Sequence, residues 1–501
     1  ACAAVSTGAP LETLQACLDE ILPNVGVYTK EWDNYNVENS DLKMSTSGHV
    51  TVVNKDTLLK PGKFYRPLLR TGYNPKLPQT QRAGMIALAK RNLLSIDQTG
   101  VRAWETAAEK TVDRLIDNFM IPGAVEIIAR DRHVVAHTRG LLARWIGRQP
   151  TATIDALLRD GIDPNEIDMT EMSYFLKGET KPITTDENLV KMPTGQTVMF
   201  SKKTINIFVG CLIDECTDYF ISLLKPSWMW NKGKNLNALE EFFTKNLKDK
   251  KNLVAIEDDV SAYDKSQRDA VFFYYKAIME KMGWSGAVFE RFLHGQIYTR
   301  TMAPGLGITV ERRHQLHSGW SHTSNRNTLL RLGTLADILM NVPLSAIQCG
   351  CVLGDDALVY IADGPWVNQT LDAWSGIMAL SWNLTAKVER FGLGYFCGYF
   401  VVPNGDTIKL VADPIRRVVK LGRFDLAEEA LIHEYWISFV DNMRNYDDEL
   451  AKEGAARGVA ERYKYKENIC VSPLMDALTA LTQSYPQFRR LWEKELTTTE
   501  Y

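Results

Sequence analysis

From Asn252 onward the apolar and polar positions fall into a readable order. "NLVAIEDDV" is a short apolar run that ends in acids, which predicts a strand leading to a site. "KSQRDAVFFYYKAIMEKMG" follows, with Val271, Tyr274 or Tyr275, Ile278 and Met282 at helical spacing. A second helical pattern runs from about Thr323 to Met340, with Leu332, Leu335 and Leu339 on one side. "CVLGDDALVY" (351–360) reads as a β-hairpin, two apolar strings around Gly-Asp-Asp. "YFCGYFVVPNGDTIKLVA" (395–412) predicts two more strands around Pro-Asn-Gly, and beyond Asp413 the chain is mostly helical. The predicted order is strand–helix, helix, hairpin, helix, hairpin and a helical tail. The first ~165 residues mix short helical patterns with basic clusters, and no internal repeat occurs.

Composition narrows this picture. At 501 residues the chain exceeds one small core, so two or three subdomains are expected. With 45% hydrophobic and 24% charged residues it is neither disordered nor fibrous. The net charge of −3 means that any nucleic-acid contact must come from clustered cations. Eight scattered cysteines with no paired C-x-x-C read as reduced thiols, with Cys349 and Cys351 as small buried residues flanking Gly350. No apolar run approaches the ~18 residues needed to cross a bilayer. The start "ACAAVSTGAP" lacks an initiator Met and a basic leader, so it reads as a fragment of something larger rather than a signal peptide.

Two stretches supply the clustered charge. "KPGKFYRPLLRTGYNPKLPQTQR" (60–82) holds Lys60, Lys63, Arg66, Arg70, Lys76 and Arg82 without an acid, interleaved with Phe64, Tyr65 and Tyr73. "RDRHVVAHTRGLLARWIGR" (130–148), which includes Arg139 and Arg144, has five arginines against one aspartate. Cations interleaved with aromatics suit a groove that tracks a nucleic-acid backbone. A solvated basic face would look the same.

Three further segments carry chemistry when read together. "EDDVSAYDKSQ" sets Asp259 at the end of a strand and Asp264 on the turn into a helix. "HSGWSHTSNRNT" contains Ser318-Gly319, then Thr323 and Asn327, which share a helix face at i, i+4. The third is Gly354-Asp355-Asp356. Adjacent aspartates repel unless a cation joins them, although Gly-Asp-Asp alone is more often a surface turn. Nucleotidyl transfer needs carboxylates from separate strands around two Mg²⁺ ions about 3.5–4 Å apart, and hard oxygen ligands suit that metal. Asp259 and Asp355 are then the principal metal ligands, with Asp356 assisting. Asp264 and Asn327 are placed to bond the ribose hydroxyls of an incoming nucleotide, where a 2′-OH can be selected.

These residues resemble the RNA-dependent RNA polymerases of positive-strand RNA viruses. "DVSAYDKSQ" is similar to their motif A, "SGWSHTSNRNT" to motif B and "LGDD" to motif C. "QTVMFSKKTINIFVG", "WNLTAKVERFGLGYFCGYFVV" and "ADPIRRVVKLGR" narrow the resemblance to the alphavirus-like superfamily, including tobamo-, bromo-, clostero- and endornavirus replicases. The resemblance is clear over roughly 175–425. It implies an α+β right-hand polymerase whose antiparallel palm sheet is flanked by helices. The implied division is an N-terminal extension with part of the fingers (1–165), fingers (166–250), palm with motif A (251–300), fingers and palm with motif B (301–345), palm with motifs C, D and E (346–412) and thumb (413–501).

The resemblance also implies roles. Lys177 and Lys181 of "KGETKP", with Lys202 and Lys203 of "FSKK", would form the basic fingers motif over the triphosphate, together with Ser318, Gly319 and Thr323 as substrate contacts. Lys387 would be the motif D lysine that protonates leaving pyrophosphate, and Arg66, Arg70, Lys76, Arg139 and Arg144 would bind RNA. Two Mg²⁺ ions, with Mn²⁺ as a substitute, are the implied cofactors. NTPs, template and nascent RNA, and other replicase proteins for capping and unwinding are the implied partners, since no P-loop occurs here. The implied location is host cytoplasm, at membrane-associated replication complexes reached through partners. Two departures stand out: Arg326 precedes Asn327 where many relatives have Gly, and "FSKK" lacks an arginine. The competing readings are a reverse transcriptase, a non-catalytic RNA-binding replicase subunit and a metal-dependent enzyme acting on small nucleotides.

Overall fold

The computed structural model describes residues 11–22, 49–53, 62–71, 81–92, 103–160, 168–177, 196–248, 251–261, 263–313, 319, 322–423, 425–463 and 471–499. At its centre lie five strands: β1 (Trp228–Trp230), β2 (Leu253–Val260), β3 (Ile347–Leu353), β4 (Asp356–Ala362) and β5 (Ala386–Phe391). Their order across the sheet is β5-β2-β4-β3-β1. All neighbours are antiparallel except β1, which runs parallel to β3.

Alternation along the strands gives this sheet two apolar faces. Val254 and Ile256 of β2, with Val359 and Ile361 of β4, join the core formed by α1 (Trp104–Phe119), α2 (Asp269–Lys281), α3 (Thr323–Ile338) and α4 (Pro365–Trp382). Ala255, Leu358, Tyr360, Cys349 and Cys351 face the other way. They pack with a three-stranded sheet, β6 (Gly394–Phe396), β7 (Tyr399–Asn404) and β8 (Thr407–Ala412), and with C-terminal helices that include α5 (Glu449–Tyr463). Gly350 has a packing reason, because a Cβ there would meet the Trp228 ring at 2.2 Å.

A second five-stranded sheet is assembled from distant segments: His49–Val52, Ile308–Arg313, Tyr298–Ala303, Glu171–Lys177 and Gln196–Ser201, in that order. Gly62–Pro67 pairs antiparallel with Trp492–Thr499. The described residues therefore form a mixed α+β fold with several sheets, and no helix among them is long and apolar enough to cross a membrane.

Three sequence expectations change in detail. The helix after Asp264 is broken into Tyr263–Ser266 and α2, although Val271, Tyr274, Tyr275, Ile278 and Met282 are all buried as the spacing predicts. α3 does not bury one side only; every residue from Asn325 to Ile338 is buried, polar ones included, because it is sandwiched between the sheet and other helices. The helical tail ends in a strand, which finds its partner at Gly62–Pro67.

Candidate active site

The acids of β2 are sorted by the pleat. Asp258 turns toward the helices, where its side chain is 1% exposed, and Asp259 emerges on the opposite, solvent-accessible face. Across the ladder Asp259 faces Lys387 of β5, which is exposed and ion-paired to Glu389 at 2.9 Å. Asp355 occupies the exposed turn between β3 and β4, and Asp356 opens β4. The β2–β4 register, continued two residues past Leu358↔Glu257, sets Asp356 across from Asp259. Gly354 adopts φ +62 in that turn, a conformation that a side chain disfavours, and open space surrounds it. Desolvation first, and then the Asp355 charge, raise the Asp356 carboxyl pKa even though the residue keeps solvent contact.

α3 reaches the segments that bear these carboxylates through successive side chains. Asn327 donates from Nδ2 to Asp264 Oδ1 at 2.9 Å, and its Oδ1 accepts from Gln267 at 2.6 Å. Tyr263 donates to the Asn327 carbonyl at 3.0 Å. Asp264 and Asn327 thus meet as the sequence predicted. Thr323 is half-buried at the start of the helix. Just upstream, the Gly319 N–H donates to the Met199 carbonyl at 2.9 Å, where a Cβ would come within 2.5 Å of that oxygen. Ser318, Lys181 and Lys76 lie outside the described residues.

The helix also carries side chains that the motif reading missed. Thr328 Oγ1 accepts from the Gly354 N–H at 2.8 Å. Fully buried Arg331 pairs with Asp258, whose other oxygen accepts from Trp374 Nε1 at 2.9 Å. Both signals were present, as the residue after Asn327 and a charged residue four beyond it. Arg326 donates to Gln296 and lies 5.6 Å from the centroid of the Tyr275 ring, so its guanidinium is taken into the core. Burial lowers its pKa to about 10, opposed by Tyr275 and then Asp264. On the front face Glu257 accepts from Arg462 at 2.9 Å and from the Tyr395 N–H at 2.9 Å, with desolvation pushing its carboxyl up to about 7.

Several of the expected basic contacts also take part in ion pairs within the fold. Lys202 pairs with Glu171 at 2.7 Å. Lys177 is half-buried, and exposed Lys203 lines a cavity of about 280 Å³ with Asn206, Lys232, Ser324, Asn325 and Leu353. Arg66 reaches Glu493 at 3.2 Å, Arg70 reaches Asp19 at 3.8 Å, and Arg144 reaches Glu215 at 3.2 Å. Arg139 is exposed. The segment 62–71 is tied to the C-terminal strand and the first described helix, and its Arg66 and Arg70 side chains stay exposed.

Among the described residues, no three His, Cys, Asp or Glu side chains cluster closely enough to hold a metal by themselves. Mg²⁺ does not require such a cage, because one or two carboxylates plus substrate phosphates and water usually suffice. Asp259, Asp355 and Asp356 offer only hard oxygen donors. The mutual repulsion of the last two is what a divalent cation relieves, so the donor set fits.

A family model described as RNA dependent RNA polymerase matches residues 34–491, well beyond the stretch where the motifs are clear. The chain is 28% identical over 463 residues to the replicase large subunit of Soil-borne wheat mosaic virus, covering 91% of this chain and 24% of that protein. It is 25% identical over 488 residues to the replicase large subunit of Potato mop-top virus, covering 96% and 26% respectively. With the RNA-directed RNA polymerase of Barley stripe mosaic virus it shares 25% identity over 464 residues, 90% of this chain and 57% of that one. The chain thus spans about a quarter of the length of the two replicase subunits.

Proposed function

Because the chain belongs to the RNA-dependent RNA polymerase family, we propose that it extends an RNA 3′-hydroxyl from NTPs under the direction of an RNA template, releasing pyrophosphate. The observation that carries this reading is the convergence on α3: Asn327 on Asp264, Thr328 on the Asp355 turn and Arg331 on Asp258, the residue before Asp259. One buried helix thereby organises an acid pair, a ribose-reading pair and the strands between them.

In this reading Asp259 and Asp355, helped by Asp356, would hold two Mg²⁺ ions. When bound, the ions supply activation of the attacking hydroxyl and neutralisation of the triphosphate. The Asp264–Asn327 pair bonds the ribose hydroxyls, and its polar groups go unsatisfied with a deoxyribose. Lys387 stands opposite Asp259 as the proton donor to pyrophosphate. Catalysis is chiefly positioning in a fixed electrostatic frame. In the same reading the central sheet is the palm, the sheet containing Glu171–Lys177 and Gln196–Ser201 is part of the fingers, and residues 413–501 are the thumb. RNA, NTPs and other replicase proteins are the proposed partners, at host-cytoplasmic replication sites.

The test is RNA synthesis on a short primed RNA template with Mg²⁺, comparing wild type with Asp355→Ala and NTPs with dNTPs. Template-dependent NTP incorporation that disappears in the variant is expected. A preference for dNTPs points to reverse transcription, and RNA binding without synthesis points to a scaffold.

A further inference from the structure

The turn that carries Asp355 is closed by the Leu353↔Asp356 pair of its hairpin and is also held from outside the sheet. Pairing between β2 and β4 runs from Ala362↔Leu253 to Leu358↔Glu257, so the turn lies beyond the last paired residues on that edge. On the side where β2 stops short, its glycine is bonded to a helix: the Gly354 N–H donates to Thr328 Oγ1 at 2.8 Å. The same hydroxyl donates its single proton to the Ser324 carbonyl at 2.7 Å. A hydroxyl has one proton to give, so the bond to Ser324 orients the oxygen lone pair that receives Gly354. Thr328 is fully buried, whereas Gly354 is half-buried, so the hydroxyl is what keeps the glycine N–H from bonding to water.

The other acid-bearing segment is tied to the same helix. Arg331, three residues beyond Thr328, pairs with Asp258 next to Asp259, and positions 324, 328 and 331 share one helix face. The spacing between the two carboxylate-bearing segments is therefore referred to α3 as well as to the ladder.

We propose that Thr328 is a positioning residue for nucleotidyl transfer, its hydroxyl fixing the height of the Asp355 turn above α3. This rests on the polymerase reading. It touches no substrate, so its removal should slow the chemical step while leaving NTP binding in place.

The experiment compares wild type, Thr328→Val, Thr328→Ala and Thr328→Ser in the full chain. It reads kcat and KM for NTP on a primed template, Tm, and hydrogen exchange in the peptide containing Gly354. Valine keeps the shape and removes the hydroxyl. Alanine makes the same test without a β-branch should valine not fold. In both, kcat falls at least about tenfold, toward the hundredfold that a displacement of about an ångström costs, with KM within about twofold. Exchange at Gly354 accelerates, and serine restores both the rate and the protection. The proposal is overturned if the hydroxyl-free variants keep wild-type kcat, if serine is as impaired as valine, or if Gly354 exchange is unchanged. A wild type that makes no RNA refutes the polymerase reading instead, while the exchange comparison still decides the hydrogen bond.

Discussion

Arg331→Met strands a carboxylate. Asp258 is 1% exposed and Arg331 is 0% exposed, so neither charge can turn to solvent. Removing one partner of such a pair costs about 3–5 kcal/mol, mostly because the remaining charge is buried without compensation. That is a large share of the ~5–15 kcal/mol that keeps a domain folded. Replacing both, as Asp258→Leu/Arg331→Met, removes the charges together. It leaves only the Trp374 N–H without its acceptor, a loss of about 1–3 kcal/mol offset by the desolvation no longer incurred. The double variant is expected to be more stable than the single one by a clear margin. Urea unfolding followed by tryptophan fluorescence would measure both. If the double variant is as unstable as the single, the reasoning from a buried ion pair is wrong.

Gly319→Ala should impair NTP use by about tenfold or more, because its Cβ would displace the Met199 carbonyl now 2.5 Å away; single-nucleotide incorporation kinetics measure it. Asn327→Ala removes the donor to Asp264 and should lower the NTP-over-dNTP ratio of kcat/KM by at least about tenfold, whereas an unchanged ratio would remove that pair from sugar selection. His322 is buried, and desolvation first, then Arg326, hold its pKa well below the usual imidazole value. Its contribution is therefore present above the unfolded-state value near about 6.5 and lost as pH falls below it, by up to about 1.4 kcal/mol per pH unit. His322→Phe should flatten the drop in unfolding midpoint between about pH 7 and about pH 5.

The residues that define the site were legible because their signals are local. A run such as "NLVAIEDDV" announces a strand and its acids, and i, i+4 spacing puts Thr323 and Asn327 on one face. Asp264 and Asn327 meet as that reading required. What stayed hidden depends on burial from several directions at once. The pattern in α3 suggests one apolar side, yet its polar residues are also interior, because Arg331, Asn325 and Thr328 find partners on three different segments. The ion-pair partners of Arg66 and Arg70, Glu493 and Asp19, are far away in sequence and could not be read from the basic stretch itself. Non-local pairing of that kind leaves no periodic trace.

The pairing of Gly62–Pro67 with Trp492–Thr499 also sets a clock. The two strands are more than four hundred residues apart, so a ribosome that has made the first must run on for roughly twenty to ninety seconds before the second exists. Until then a segment bearing Lys63, Arg66, Phe64 and Tyr65 has an unpaired edge. Everything between can fold first, and this pairing is the docking of an early segment onto a later one, paid in loop-closure entropy once the later strand has been made.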